Sequence, residues 1–310
     1  MRLLLLGDTH FEERGPDRRK DDYFLTQLCK LKQIFSIYGE EKCDAILQVG
    51  DFFNSPYVSN YVKSNLITDL KHWGNIMYCI FGQHDIFGHA WQTFERSPLA
   101  VLEAAAVLKV VRDPCTRIEG KSGDCVYVYG ACFGCEVPKV ESEHTFNILL
   151  VHDMIGDREL YPGQELKGPR DYLRKYPNYD LIVCGDYHYT FKDSHQGRII
   201  CNPGCLMRKT IGEFDLQHKP GVFIFDTDSK DLKWILLDVE PVEDVFDFTK
   251  TESIKEDSSK VVEFIEKLRA NNEDRAAWRE ALRVVLEEKK VCSRVRTLLD
   301  SVIAYTLENK

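Results

Sequence analysis

Five short apolar runs in this chain each break off at an aspartate or a histidine, and that recurrence limits the fold more than any other feature. The first run ends in Gly7-Asp8-Thr9-His10, the second in Gly50-Asp51-Phe52-Phe53-Asn54 and the third in Gly82-Gln83-His84-Asp85. A later run ends in Val151-His152-Asp153 and the next in Gly185-Asp186-Tyr187-His188. Runs of this length between turn residues are read as β-strands. Amphipathic stretches at 23–38 and 62–73 separate the first three, a β-α-β-α-β series that builds a mostly parallel sheet with helices packed on it. Open α/β sheets bind ligands at the carboxyl ends of their strands, so the five breaks bring oxygen and imidazole groups to one edge of the sheet. One Gly-Asp or one His after a strand is ordinarily a turn residue. Five in order are hard to explain that way.

After about residue 107 the apolar runs become closely spaced, at 107–111, 125–129, 146–151, 181–184, 198–201, 222–226 and 234–237, which adds a second sheet. Near residue 245, Pro241 with Glu243, Asp244 and Asp247 marks a linker. From Ser259 on, Val262, Ile265 and Leu268, then Trp278, Leu282, Val285 and Leu286, then Val291, Val295, Leu298, Leu299, Val302 and Ile303 recur at helical intervals. The chain therefore divides into a large domain over 1–245 and a helical segment over 246–310.

At 310 residues and 44% hydrophobic content the chain can bury a full core. Its opening Met1 to Gly7 has the look of a leader, but Asp8 and the charges that follow make it a first strand. No apolar run approaches the roughly 20 residues that span a bilayer, so a soluble protein without a membrane partner is expected. Eleven scattered cysteines show no disulfide framework, which fits a reducing cytoplasm, that of a bacterium or a phage-infected cell. Cys132 with Cys135 and Cys201 with Cys205 leave a structural zinc as an alternative to ordinary buried thiols, without the usual knuckle context. The net charge of −9 argues against gripping nucleic acid with the whole surface. Basic residues do cluster locally, at Arg14, Arg18, Arg19 and Lys20 and at Arg208 and Lys209, as phosphate contacts or as solvated loops.

Mixed Asp and His ligation suits Mn²⁺, Fe²⁺ or Zn²⁺. Two such cations about 3.5–4 Å apart can clamp a phosphate and activate a water, which is phosphoester cleavage. The ordered set GDTH, GDFFN, GQHD, VHD and GDYH resembles the calcineurin-like metallophosphoesterases, over roughly residues 1–240. The resemblance implies an α/β fold, a β-sandwich of two mixed sheets flanked by helices. It also implies one metal held by Asp8, His10, Asp51 and His188, and a second held by Asp51, Gln83, His152 and Asp186. His84 would stand beside the scissile phosphate as proton donor or stabiliser of the leaving oxygen. The family usually has Asn at 83 and His at 186. A longer carbonyl and an anionic oxygen make the second site harder in character, favouring Mn²⁺ or Mg²⁺.

Within that family the stretch Arg18, Asp21, Asp22, Tyr23, the run Gly50 to Pro56 and the turn Asn202 to Arg208 resemble the SbcD-type DNA repair nucleases and their phage relatives. The Asp-Arg-Gly of protein Ser/Thr phosphatases does not follow the second motif. The nuclease likeness implies DNA as substrate, with Arg18, Arg19, Arg208 and Lys209 as candidate contacts, an SMC-like (SbcC-type) ATPase docked on the C-terminal helices, and a homodimer. The alternatives are hydrolysis of a small phosphodiester and a non-catalytic protein-binding scaffold. His72, His89, His144, His195 and His218 receive no role, and His89 is the one closest to the motif series.

Overall fold

The computed structural model describes residues 1–112, 115–140, 146–159 and 166–249. The closing helices expected within 246–310 fall outside these from residue 250 onward, as does His144. In chain order the strands are β1 (Arg2–Leu6), β2 (Ala45–Gln48), β3 (Met77–Cys79), β4 (Leu108–Val110), β5 (Thr116–Glu119) and β6 (Cys125–Ala131). They continue with β7 (Phe146–His152), β8 (Leu181–Gly185), β9 (Phe191–His195), β10 (Arg198–Asn202), β11 (Gly221–Asp226) and β12 (Leu232–Leu236). The helices are α1 (Tyr23–Glu40), α2 (Asn60–Trp73), α3 (Pro98–Ala104), α4 (Pro169–Lys175), α5 (Glu213–Gln217) and α6 (Val242–Val245).

These strands form two six-stranded sheets, β12-β11-β1-β2-β3-β4 and β5-β6-β7-β8-β10-β9. Each is mixed: β1 to β4 run parallel while β11 is antiparallel to β1, and β6, β7, β8 and β10 run parallel between the antiparallel β5 and β9. The α/β sandwich implied by the motif series is the observed architecture. Its strand assignment differs from the sequence reading, because the runs at 107–111, 222–226 and 234–237 complete the first sheet rather than join the second. Pairing of Arg2 with Asp226 and of Leu5 with Phe223 brings the late strand back beside the first.

Period-two alternation explains why β7 and β8 read as unbroken apolar runs. Ile148, Leu150, Leu181 and Val183 face the main core shared with Leu4, Ile46 and Phe225. Leu149, Val151, Ile182 and Cys184 face a second core with Tyr172 and Leu173 of α4. Both faces are covered, so no polar position interrupts Ile148 to Val151 or Leu181 to Cys184. Helix α1 starts where the Asp22 carboxylate accepts the Leu25 N–H at 2.9 Å, and α2 where Ser59 Oγ accepts the Val62 N–H at 3.3 Å. Gly74, at φ 75°, ends α2 in the left-handed conformation that glycine adopts without a Cβ penalty. No helix among the described residues is long and apolar enough to cross a membrane. The acidic 242–247 stretch, read as a linker, contains the short α6 and the buried Phe246. Hydrogen bonds from Lys20 N to Val245 O and from Asp247 N to Arg18 O tie it to the loop after β1.

Candidate metal centre

The five motif turns meet at one place, but from two sheets rather than along one edge. Those after β1, β2 and β3 come from neighbouring strands of the first sheet, and His152 and Asp186 come from the ends of β7 and β8 in the second. Register makes them level: Leu6 pairs with Gln48, Gln48 with Cys79, and His152 with Gly185. Loop-to-loop hydrogen bonds then fix the first sheet's turns, with Thr9 N and His10 N on Asp51 O at 3.2 and 2.9 Å and Phe11 N on Phe52 O at 2.8 Å.

Three of the motif residues hold strained backbones: His10 at φ 46°, Asp51 at φ 47° and Asp186 at φ 74°. Such conformations in non-glycine residues cost about 1–3 kcal/mol and persist where the surroundings over-determine them. The motif glycines are needed for space. A Cβ on Gly82 would lie 2.1 Å from Asp51 Oδ1 and 2.6 Å from His152 Nε2, and one on Gly185 would lie 2.6 Å from Asp8 Oδ1.

Asp8, His10, Asp51 and His152 are almost wholly buried, while Gln83, His84, Asp186 and His188 are partly exposed. The ligand atoms of Asp8, His10 and His188 lie within 4.8 Å of one another, and so do those of Asp8, Asp51 and His152. Asp51 Oδ2 is 3.4 Å from His152 Nε2 and 3.9 Å from both His10 Nε2 and His84 Nε2. His10 Nε2 and His188 Nε2 are 3.1 Å apart. The resemblance gave the shared position to Asp51; by distance Asp8 is the residue common to both groups, while Asp51 belongs to the second and reaches the first only through His10 Nε2, 3.9 Å away. Gln83 and Asp186, the two departures from the family pattern, touch each other, with Gln83 Nε2 donating to Asp186 Oδ1 at 2.7 Å.

These residues fit a bound cation on an observation independent of the motifs. Of seven buried side-chain polar atoms without a partner among the described residues, five belong here: Asp8 Oδ1, His10 Nδ1, Asp51 Oδ2, Gln83 Oε1 and His152 Nε2. Leaving one such atom unpaired costs about 1–3 kcal/mol, so a cluster of them, mostly acceptors, calls for a ligand. His152 Nδ1 lies 2.7 Å from Val49 O, and a carbonyl only accepts, so Nδ1 carries the hydrogen and Nε2 faces the carboxylates. The charges agree. Burial pushes the Asp8 carboxyl well above its ordinary range, with Asp51 and Asp186 adding to it against the pull of His152. Burial also pushes Asp51 up, but His152, His10 and His84 bring it net below the usual carboxylate range. Burial and the Lys209 charge hold His10 well below its ordinary value and His188 at about 4, so both rings are neutral at pH 7 and free to ligate.

Sequence reading missed the residues that hold these in place. Asp85 accepts the N–H groups of Phe53, Gly82 and Phe52 at 2.8, 2.9 and 3.2 Å, clamping the second turn to the third. Burial and Asp51 raise its carboxyl to about 7 against the pull of those donors. Gln27 Nε2 reaches Thr9 O at 3.3 Å and His10 O at 2.8 Å, and Gln48 Nε2 reaches Gly7 O at 3.2 Å. The signal was present for Gln27 and Gln48, polar residues inside otherwise apolar patterns, whereas Asp85 lies within the polar Gln83-His84-Asp85 motif.

The basic candidates separate into two groups. Arg19 and Arg208 are not surface contacts. The Arg19 side chain is 3% exposed, binds Asp21 through two nitrogens and donates to Arg208 O at 2.7 Å; Arg208 is 6% exposed and donates to Glu240 O. They brace the 202–208 turn because burial forces a guanidinium to use its donors internally. Lys209 Nζ, by contrast, bonds Asn54 Oδ1 at 2.7 Å and projects its charge onto His10 and His188. Arg18 is partly exposed in the loop after β1, with its carbonyl accepting Asp247 N at 2.8 Å. No cysteine belongs to a candidate metal group among the described residues. Cys132 Sγ and Cys205 Sγ instead donate to Val111 O and Met207 O, as ordinary buried thiols do.

No curated protein matches the chain. Among solved structures it is similar to an archaeal phosphodiesterase, at 15% identity over 76% of this chain and 100% of that one, TM-score 0.41. It is also similar to a Staphylococcus aureus protein assigned as a 5′-nucleotidase, at 13% identity over 78% of this chain and 54% of that one, TM-score 0.45. A third is Vps29 with zinc from Entamoeba histolytica, at 12% identity over 77% and 99% of the two chains, TM-score 0.33. The sequence profile of the calcineurin-like phosphoesterase superfamily domain matches residues 1–230, which include every motif residue of the site, and the chain belongs to that superfamily.

Proposed function

We propose that this protein is a divalent-metal-dependent phosphodiesterase that cuts DNA, as an exonuclease or endonuclease in repair or recombination. Asp8, His10, Asp51 and His188 would hold one cation, and Asp51, Gln83, His152 and Asp186 the other. The observation that carries the hydrolase reading is the convergence of unpaired buried donor atoms from turns of both sheets. Bound there, the cations would supply Lewis-acid polarisation of a phosphoryl oxygen and a water of lowered pKa.

The chain's own residues supply the rest. His84 stands at the mouth with its side chain 42% exposed, and its backbone N–H donates to Asp51 Oδ1 at 2.9 Å. The His84 backbone is thereby fixed to the Asp51 carboxylate while the ring stays open to substrate, placed to deliver a proton to the leaving oxygen. Lys209, whose charge acts on His10 and His188, would add a positive charge beside the centre for an incoming phosphate. Gln83 Oε1 and Asp186 give the second site oxygen donors, which favours Mn²⁺ and admits Mg²⁺. DNA as substrate is supported by the likeness of the 18–23, 50–56 and 202–208 stretches to the SbcD-type nucleases. An SMC-like ATPase docked on 246–310, and a homodimer, belong to the same proposal.

The test is cleavage of end-labelled single- and double-stranded DNA with Mn²⁺, Mg²⁺ or chelator, beside an aryl phosphodiester. Metal-dependent cutting that falls about 10²- to 10⁴-fold in His84→Ala is the expected result. Hydrolysis of the small ester alone would remove DNA from the reading, and inactivity on every substrate would leave the scaffold alternative.

A further inference from the structure

On one side of His84 the surface carries exposed aromatic rings that the metal chemistry does not use. Tyr57 is 84% exposed and Trp91 54%, Phe87 lies edge-on to Tyr57 with ring centroids 5.1 Å apart, and His89 is exposed. His89 continues a series of rings that starts at the centre: His10 to His84 at 5.3 Å, His84 to His89 at 6.4 Å, and His89 to Phe133 at 6.1 Å. The loop that presents them is fixed. Thr93 Oγ1 accepts the Phe87 N–H at 2.9 Å and lies 2.7 Å from Ala90 O, closing the 87–93 turn. Inside it Gly88 and His89 are both left-handed, at φ 59° and 53°. Histidine adopts that conformation at a cost of roughly 1–2 kcal/mol, and here it presents an exposed ring at the rim of the site. Phe133, in the loop after β6, is anchored by its N–H on Phe81 O at 3.1 Å.

We infer that His89 and Phe133 form a stacking platform for an unpaired nucleobase next to the phosphate held at the metal centre. The inference rests on the nuclease reading and adds the state of the substrate, a single strand or a frayed end, because only an unpaired base can leave its stack for a protein ring. Stacking is indifferent to sequence, since every base has a π-face. It also supplies the grip that a chain of net charge −9 does not obtain by neutralising phosphates.

The test uses the full-length protein with Mn²⁺ and single-stranded oligonucleotides in which one abasic site is moved nucleotide by nucleotide past the cut. Wild type slows by about 5- to 100-fold at one position beside the scissile phosphate and little elsewhere. His89→Ala slows intact DNA by a similar factor and loses nothing further at that position, whereas His89→Phe restores it; unchanged melting temperatures exclude misfolding. A flat abasic profile in wild type overturns the inference, as does a His89→Ala defect equal at all positions. A flat profile with a shift from dimer to monomer in Trp91→Ala overturns it in favour of contact between copies. A wild type that hydrolyses an aryl diester but cuts no DNA fails the nuclease reading itself, and the platform falls with it.

Discussion

Replacing Gly82 by alanine tests how tightly the centre is packed. The Gly82 backbone, at φ −99° and ψ −175°, is open to any residue, so the effect is steric. The new Cβ would lie 2.1 Å from Asp51 Oδ1 and 2.6 Å from both Asp51 N and His152 Nε2. Restoring the 3.0 Å that real Cβ atoms keep requires a shift of at least 0.9 Å (3.0 − 2.1). The carboxylate cannot swing aside freely, because Oδ1 holds the His84 N–H and the second clash is with backbone. Misplacement by about 1 Å costs on the order of 100-fold in rate, and overpacking about 1–3 kcal/mol in stability. The assay is kcat/KM on an aryl phosphodiester at saturating Mn²⁺, with thermal melts in chelator. Gly39→Ala is the control, since nothing lies within 4 Å of a Cβ there and the helix α1 gains about 0.5–1 kcal/mol. Gly82→Ala activity within threefold of wild type would refute the reasoning.

Asp85 Oδ1 accepts from Phe53 and Oδ2 from Phe52 and Gly82, so Asp85→Asn keeps one acceptor oxygen but turns an NH2 donor toward at least one buried N–H, and should cost about 2–3 kcal/mol by urea unfolding and about 10- to 100-fold in metal-dependent hydrolysis. Lys30, buried with its ammonium on Asp238 O at 2.6 Å, is held at about 8 by burial and by Arg208 and Arg19. Its unfolded value is about 10.4, so between pH 8 and 10.4 the unfolded chain keeps a proton that the folded chain has lost. Stability should therefore rise with pH across that window relative to Lys30→Met, by at most on the order of 3 kcal/mol in urea midpoints; parallel curves would contradict this. Mn²⁺ at a hundredfold excess over its Kd should raise stability by about 2.7 kcal/mol, seen as a melting shift that chelator reverses.

The site was legible where its signal is local. In four of the five turns a glycine that leaves room and the aspartate or histidine that follows it sit within four residues, and the order of the five turns along the chain made the set readable. Pairing was not legible, because β1 meets β11 across more than two hundred residues and nothing in 107–111 or 222–226 states which sheet will accept it. The same gap hid the meeting of turns from two sheets. Edge strands β5 and β9 were missed since Thr-Arg-Ile-Glu and Phe-Lys-Asp-Ser-His expose alternate residues and carry little apolar pattern. Arg19 and Arg208 looked like surface cations because residue type does not report burial; only the packing of 238–246 over them does.

The most direct test of the cation pair is calorimetric titration of Mn²⁺ into the protein and into Asp51→Asn. Asp51 Oδ2 faces both His10 and His152, so one substitution should damage both halves of the centre. The expected result is two ions per wild-type chain, of unequal affinity, with the tighter weakened at least tenfold and the weaker undetectable in Asp51→Asn. No binding to wild type, or two ions held by Asp51→Asn with wild-type affinities, would contradict it.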